Sequence, residues 1–422
     1  MARGMWRTLI GRRQALASLS LVGTVSAATA APAGCSPTVD LSPDSGERLN
    51  VMTYMTQAMR DDVRDGKLLV DCAPAFQAAI DAASARDQST LTTGRRLYIP
   101  GGRYLIGSPL NYVWRDEQKI ADDGDMRRLT IEGEGSANVV LFYAGPAAQP
   151  AFETRAHKAA RGDGPSLRLV ISGLRLRRRQ DKHRTGTGLR LNGVEGISLI
   201  DVEIAGFETN IDAIDTLRFD ARDVYILGGV IGLSARGDSF SSPNVYTFTT
   251  CNLSGNGEIA ARFEGGCNIA FRSCCFEGNG TVTGKGAGIL FRDGPAQGGA
   301  AAHIDSCYFE NNIVAADVLF DWTTADGGTV KLTACSFQRN DPIQVGPHVM
   351  FRSTKGSLLA HVDSCAFKSF GAYRPSATRP AIITSGSRND LTFTACYFQN
   401  IAEAPPLSNG SGRLTAGESW SA

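Results

Sequence analysis

Thr250-Cys251-Asn252-Leu253 returns with small changes as Ser273-Cys274-Cys275-Phe276, Ser306-Cys307-Tyr308-Phe309, Ala334-Cys335-Ser336-Phe337, Ser364-Cys365-Ala366-Phe367 and Ala395-Cys396-Tyr397-Phe398. The first cysteines of these phrases are 23, 33, 28, 30 and 31 residues apart. Three earlier copies keep the alternation with an aliphatic residue in the cysteine position: Leu174-Arg175-Leu176, Val202-Glu203-Ile204 and Val224-Tyr225-Ile226. Residues i and i+2 share a face only in an extended chain. Each phrase is therefore a short strand with two inward side chains, one about every 28 residues.

A second strand pattern accompanies the phrase: Leu189-Arg190-Leu191, Ile231-Gly232-Leu233, Ala261-Arg262-Phe263, Ile289-Leu290-Phe291, Val318-Leu319-Phe320, Val349-Met350-Phe351 and Ile382-Ile383-Thr384. Short strands at this period, broken by Gly and Asn turns with no helical pattern between them, predict an all-β chain coiled as a single parallel β-helix of about ten coils. Asn256, Asn279, Asn312 and Asn340 each follow the phrase cysteine by five residues. Asn tolerates left-handed backbone and hydrogen-bonds along a stack, so the four predict a turn ladder.

Composition agrees. The chain has 422 residues, is 42% hydrophobic and 20% charged, and carries 47 Gly. It is too apolar for intrinsic disorder, and its glycines show no collagen-like period. Six of the ten cysteines fall on one inward row, where Cys serves as a small hydrophobe. No CxxC pair or His cluster accompanies them, which argues against a metal site. Cys267 and Cys275 lie off the row and form a candidate pair, while Cys72 stands alone upstream.

Residues 1–33 read as an export signal. Arg3, Arg7, Arg12 and Arg13 precede an apolar run from Ala15 to Val25, with small residues after it. That run is too short to span a bilayer. Arg12-Arg13 matches a twin-arginine signal, an ordinary secretory signal being the alternative. Cys35 follows Pro32 where a lipoprotein site wants Leu, which argues against a lipid anchor. The mature protein is expected in the periplasm or outside the cell. Residues 34–50 read as a linker, 51–128 as an N-terminal cap with its first strands, 129–401 as the β-helix, and 402–422, with Pro405-Pro406 and several Gly and Ser, as a flexible tail.

The N-terminal part carries a further pointer. Asp71 to Ala83 is an amphipathic helix pattern with Phe76, Ile80 and Ala83 on one face, followed by Leu97-Tyr98-Ile99-Pro100-Gly101-Gly102 and Leu129-Thr130-Ile131-Glu132-Gly133. This order resembles the N-terminal module of the pectate-lyase superfamily, and the resemblance runs from about Val70 to Asn400. It implies a right-handed β-helix whose open end is covered by a capping helix, because a bare end exposes core and unpaired strand edges. It does not imply one activity, since lyases, glycosidases, epimerases, tailspikes and noncatalytic proteins share the fold. The paired Asp and Gly-His-Gly of polygalacturonase-like enzymes, the Asp-Pro-His of alginate epimerases and the calcium-binding Asp and Arg motifs of pectate lyases are absent. No catalytic residue carries over, no cofactor is required, and nothing supports calcium.

Candidate chemistry lies on the second strand set, whose outward positions read Asn192, Ser234, Glu264, Arg292, Asp321, Arg352 and Ser385, with Arg190 and Arg262 two residues earlier on their strands. Glu264 and Asp321 stand two coils apart, roughly 9.6 Å, near the upper limit for an inverting glycosidase. The alternative is a ladder of alternating charge that only stabilises stacking. Lyase chemistry uses the same row otherwise: Arg190, Arg262, Arg292 and Arg352 neutralise a uronate carboxylate while a base removes the C5 proton. Trp322 is a candidate sugar-stacking face.

The formal charge of the whole chain is +1, from 43 Lys+Arg and 42 Asp+Glu, yet Leu167 to Arg190 holds eight Lys/Arg against the single acid Asp181. Arg177, Arg178, Lys182, His183 and Arg184 within it are candidates to attract an acidic polysaccharide. Nucleic acid is disfavoured, because no aromatic residues interleave the arginines. The sequence thus predicts an exported carbohydrate-active protein, foremost a lyase acting by β-elimination, with an inverting hydrolase or a noncatalytic binding protein as alternatives.

Overall fold

The computed structural model describes residues 48–84, 96–113, 127–155, 167–179, 184–238, 243–265, 268–281, 286–292, 300–322, 328–340, 346–353, 358–369, 382–386, 389–399, 407–409, 414–416 and 420–421. The expected export signal, Cys35, Lys182, His183 and Cys267 lie outside them.

The chain is a right-handed parallel β-helix. One coil shows the plan: a long strand Val245–Thr249, a two-residue corner, a short strand Asn252–Ser254, an Asn corner, and a third strand Ile259–Glu264. Long and short strands build a 23-stranded sheet, and the third strands an 11-stranded one. The next coil repeats the plan in parallel register, Phe248 beside Phe271, Leu253 beside Phe276 and Phe263 beside Phe291.

The recurring phrase is the first corner. Asp223, Thr250, Ser273, Ser306, Ala334, Ser364 and Ala395, each just before the inward residue, have φ between 51° and 53°. A non-glycine residue there costs roughly 1–2 kcal/mol. The following cysteine helps to offset the strain. Its thiol donates to the carbonyl two residues back, from Cys251 to Thr249 at 3.4 Å, Cys274 to Arg272 at 3.3 Å, Cys307 to Asp305 at 3.3 Å and Cys335 to Thr333 at 3.3 Å. A small apolar group with one weak donor suits this position. All six row cysteines are buried, and neighbouring thiols together with burial push Cys251, Cys307 and Cys365 up, so these keep their protons. Cys275 points outward and is half-buried.

The Asn corner is a directional chain. Asn210 Nδ2 donates to Asn256 Oδ1 at 3.3 Å, Asn256 Nδ2 to Asn279 Oδ1 at 3.1 Å, and Asn279 Nδ2 to Asn312 Oδ1 at 2.9 Å. Asn312 Nδ2 then donates to Asp317 Oδ1 at 2.9 Å, and His348 Nδ1 donates to Asp317 Oδ2 at 2.6 Å. Asn340, expected as the next rung, is exposed and bonds Asn311 and Glu310 instead; Asp317 and His348 take over where the third strand begins. Beside this polar spine, Phe276, Phe309, Phe337, Phe367 and Phe398 stack at 4.6 to 5.2 Å between successive ring centroids, and Phe263, Phe291, Phe320 and Phe351 at 4.7 to 5.3 Å.

Among the described residues two α-helices stand at the N-terminal end of the coils. α1 (Gln57–Asp65) is capped by Thr56, whose side chain accepts from Met59 N, and ends at Gly66 with φ 64°. α2 (Ala73–Ser84) covers most of the expected segment; Asp71 accepts from Ala73 N at 2.8 Å and from Gly107 N at 2.7 Å, tying helix start to first coil. Phe76 and Ile80 share an apolar interior with Leu97, Ile131 and Ile171. Burial pushes Cys72, at the head of α2, up to about 11.

Strands extend beyond the expected 129–401. Arg48–Asn50, at the end of the presumed linker, pairs with Arg96–Tyr98, and Arg96–Ile99 pairs with the next coil at Thr130–Gly133. In the segment read as a flexible tail, Leu407–Asn409, Leu414–Ala416 and Trp420–Ser421 each pair in parallel with the preceding coil. Its Pro and Ser content had concealed a further turn of the solenoid.

Candidate functional site

On the outward face of the third strands the register runs Arg155, Asn192, Ile214, Arg236, Glu264, Arg292, Asp321, Arg352, Ser385. Ser234, expected in this row, belongs two residues earlier, with Glu153, Arg190, Asp212 and Arg262. The inward pair of its strand is Leu233 and Ala235 rather than Ile231 and Leu233, so the reading window was displaced by two. That displacement hid Arg236.

The charges of this face are largely paired. Arg236 Nη1 lies 2.5 Å from Asp212, Arg190 Nε 3.6 Å from Asp212, Arg262 Nε 3.3 Å from Glu264 and Arg292 Nη1 3.9 Å from Glu264. Arg352 makes a two-pronged contact with Asp321 at 2.7 and 2.6 Å, which pushes the Arg352 guanidinium up. Glu264 and Asp321 stand two coils apart as read from the sequence, with Arg292 between them. An ion-paired carboxylate is a poor proton donor.

Three guanidiniums nevertheless converge on an open cleft of about 320 Å³, lined by Gly186, Thr187, Arg190, Asp212, Ser234, Arg236 and Arg262 with Ala147, Ala148, Glu208 and Thr209 at its edges. Arg262 donates to Ser234 Oγ at 2.9 Å, Arg236 to the same oxygen at 3.2 Å, and Arg190 to Thr187 Oγ1 at 3.3 Å. Arg190 Nε and Arg262 Nε are shielded from solvent and face Asp212 and Glu264 at 3.6 and 3.3 Å. Guanidiniums held in place in this way are what a carboxylate or sulfate takes up.

The arginines at the start of the basic segment, from Arg168 to Arg178, belong to the coils. Leu167–Arg178 is a continuous strand, and acids of the next coil answer its arginines. Arg168 meets Glu195 at 2.9 Å, a contact that pushes its guanidinium up, and Arg175 and Arg177 meet Glu203 at 3.6 and 2.5 Å. Arg178, a candidate for substrate contact, is buried with its guanidinium 5.0 Å from the Tyr143 ring. Arg184 is exposed, its guanidinium lying over Gly257. Trp322 is only 2% exposed and packs on Phe320, so it offers no stacking face.

Two groupings escaped the sequence reading. The buried Asp317–His348 pair is one. The other lies on the outward face of the long strands, where His303, Lys331 and His361 occupy one register row on three successive coils. The common offset of four residues before the phrase cysteine was the signal that would have found it. Among the described residues no group of three or more His, Cys, Asp and Glu side chains is placed to hold a metal ion, and no helix is long and apolar enough to cross a membrane.

No family model and no curated protein sequence matches the chain. Solved structures do match in fold. A tailspike, gp42, of Acinetobacter phage vb_AbaP_AS12 has a TM-score of 0.57 at 11% identity over 89% of this chain and 62% of its own. ORF18 of Geobacillus virus E2 has 0.56 at 15% identity over 83% and 61%. PfbA, a surface adhesin of Streptococcus pneumoniae, has 0.53 at 12% identity over 88% and 91%. The chain thus spans about three fifths of the first two. At these identities the likeness is one of fold: the chain is similar to right-handed parallel β-helix proteins, with a guanidinium-lined cleft of its own on the third face.

Proposed function

We propose that the protein acts on an acidic polysaccharide outside the cytoplasm, holding it by its carboxylate groups and cleaving it by β-elimination. The observation that carries this reading is the convergence of Arg190, Arg236 and Arg262 on one cleft around Ser234. A uronate is the sugar whose charge such a cleft recognises, and cations against its carboxylate favour loss of the adjacent C5 proton. The export signal read in residues 1–33 and the resemblance to the pectate-lyase superfamily point the same way, as do the tailspike and adhesin of similar fold. A hydrolase built on Glu264 and Asp321 is less supported, since both carboxylates are ion-paired.

The test is calorimetric titration of the purified chain with polygalacturonate and alginate, followed by ultraviolet absorbance of the reaction mixture. Arg236→Gln and Arg262→Gln should each weaken binding about tenfold or more, as expected for loss of one charge-assisted contact. Appearance of a C4=C5 chromophore supports elimination. Reducing ends without absorbance would move the assignment to hydrolysis, and binding indifferent to both substitutions would remove the cleft from it.

A further inference from the structure

The arginine cleft lacks one component of β-elimination. Guanidinium stays protonated at any physiological pH, and among the described residues no imidazole, ammonium or phenol lines the cleft. Two of the three histidines among the described residues stand instead on the long-strand face. There the register reads Ala270, His303, Lys331, His361, Thr392 over five successive coils. Adjacent coils are ~4.8 Å apart, so the lysine sits between two imidazoles, each one coil away.

The flanking positions suit a polymer lying along the coils. On one side come Arg272, Asp305, Thr333 and Asp363, and on the other Ala301, Thr329 and Leu359. Leu359 is 44% exposed, an apolar patch for the C–H face of a sugar ring. The acids do not quench the row: Asp305 accepts from the corner residue Ser306 at 3.3 Å, and Asp363 from Thr394 Oγ1 on the next coil at 2.5 Å. Among the described residues, the side chains of His303, Lys331 and His361 make no hydrogen bond or ion pair, in contrast to the third-face arginines.

We infer that His303, Lys331 and His361 are the catalytic residues of a uronate-eliminating site on the long-strand face, separate from the arginine cleft. This rests on the proposal that the substrate is an acidic polysaccharide. Lys331 lies against the C6 carboxylate and stabilises the charge that builds there as C5 is deprotonated. One imidazole, neutral, takes the C5 proton; the C5–H electron pair becomes the C4=C5 double bond, and the C4–O4 bond breaks with its pair left on O4. The other, as imidazolium, gives O4 a proton. One proton is taken and one returned, no water is consumed, and the products are a 4,5-unsaturated uronate end and a free hydroxyl. Imidazole is the side chain that holds both forms near neutrality.

The experiment uses the full chain with polygalacturonate and alginate, measuring the absorbance of the new double bond and, separately, binding. Lys331→Gln, His303→Gln and His361→Gln are exposed or half-buried positions on a formed strand, and thermal unfolding verifies that each variant folds. Each should lower kcat by 10² to 10⁴-fold, the range of general acid–base catalysis, with polymer affinity changed less than threefold. Each histidine variant should also lose one limb of the pH–rate profile, which a structural role would not move. Lys368→Gln, on the short-strand face, should turn over like the parent. Turnover retained in Lys331→Gln or in both histidine variants would overturn the inference. So would a parent protein that binds the polymers through Arg236 yet forms no double bond, an outcome that leaves the binding proposal standing. Absence of Arg236-dependent binding would instead defeat the proposed function, and this site with it.

Discussion

Replacing His348 by Gln should flatten the acid limb of the stability curve by about 3 kcal/mol. His348 is fully buried at the end of the Asn chain, between the Phe337 and Phe367 rings, with Asp317 at 2.6 Å and Arg339 as the other charge acting on it. Burial first, and Arg339 second, lower its pKa from 6.5 to about 4, and the bond to Asp317 offsets only part of that. In the unfolded chain the imidazole recovers its ordinary value, so between these two pH values the unfolded state binds more protons. The stability held by the neutral imidazole is therefore complete above pH 6.5 and is lost as the pH falls toward 4. A displacement of about 2.5 units at ~1.4 kcal/mol each comes to roughly 3 to 4 kcal/mol over the full titration, of which about 3 falls above pH 4.5. Gln retains a donor for Asp317 but cannot titrate. Urea unfolding of parent and His348→Gln at pH 7.5, 5.5 and 4.5 isolates the difference, since every other group cancels. Coinciding pH dependences in the two proteins would refute the buried neutral imidazole.

Asn279 accepts from Asn256 N and Nδ2 and donates to Leu253 O and Asn312, so Asn279→Ala strands several buried groups and should cost about 3 kcal/mol in urea unfolding; a loss below about 1 kcal/mol would mean that the ladder is not continuous. The six row thiols should resist iodoacetamide in the native protein and react on unfolding, as mapped by peptide mass spectrometry; rapid native labelling of Cys307 would contradict its burial.

What the sequence disclosed and what it hid divide along physical lines. The corner phrase was visible because left-handed backbone, an inward thiol and an inward aromatic must recur at fixed offsets within four residues. Contacts between coils were not, because their sequence separation varies with the connecting segments. Arg168 and Glu195 are 27 residues apart, whereas Arg352 and Asp321 are 31 apart, so a surplus of charge along the chain becomes neutral pairs only after coiling. The same variation displaced Ser234 from its expected row and concealed Arg236. Trp322 was undecidable from alternation alone, since its strand Ala316–Trp322 is buried at nearly every position on both faces. The histidine row fell at a constant offset before the phrase and was legible in principle.

From the coil of Arg222 to that of Tyr397, one corner keeps its length. Between Arg222 and Tyr225, between Thr249 and Asn252 and onward to Thr394 and Tyr397, two residues separate long strand from short strand in seven successive coils. The other two corners are free: three residues join Ile214 to Arg218 where eight join Arg236 to Val245, and four join Ser254 to Ile259 where nine join Glu277 to Ala287. The thiol-bearing edge acts as a ruled spine that keeps count of the coils, so segments can be exchanged along the other two edges without shifting any strand. Both candidate surfaces border those editable edges, and new specificity can be written there while the frame that aligns Arg236 with Glu264, or His303 with Lys331, stays in step.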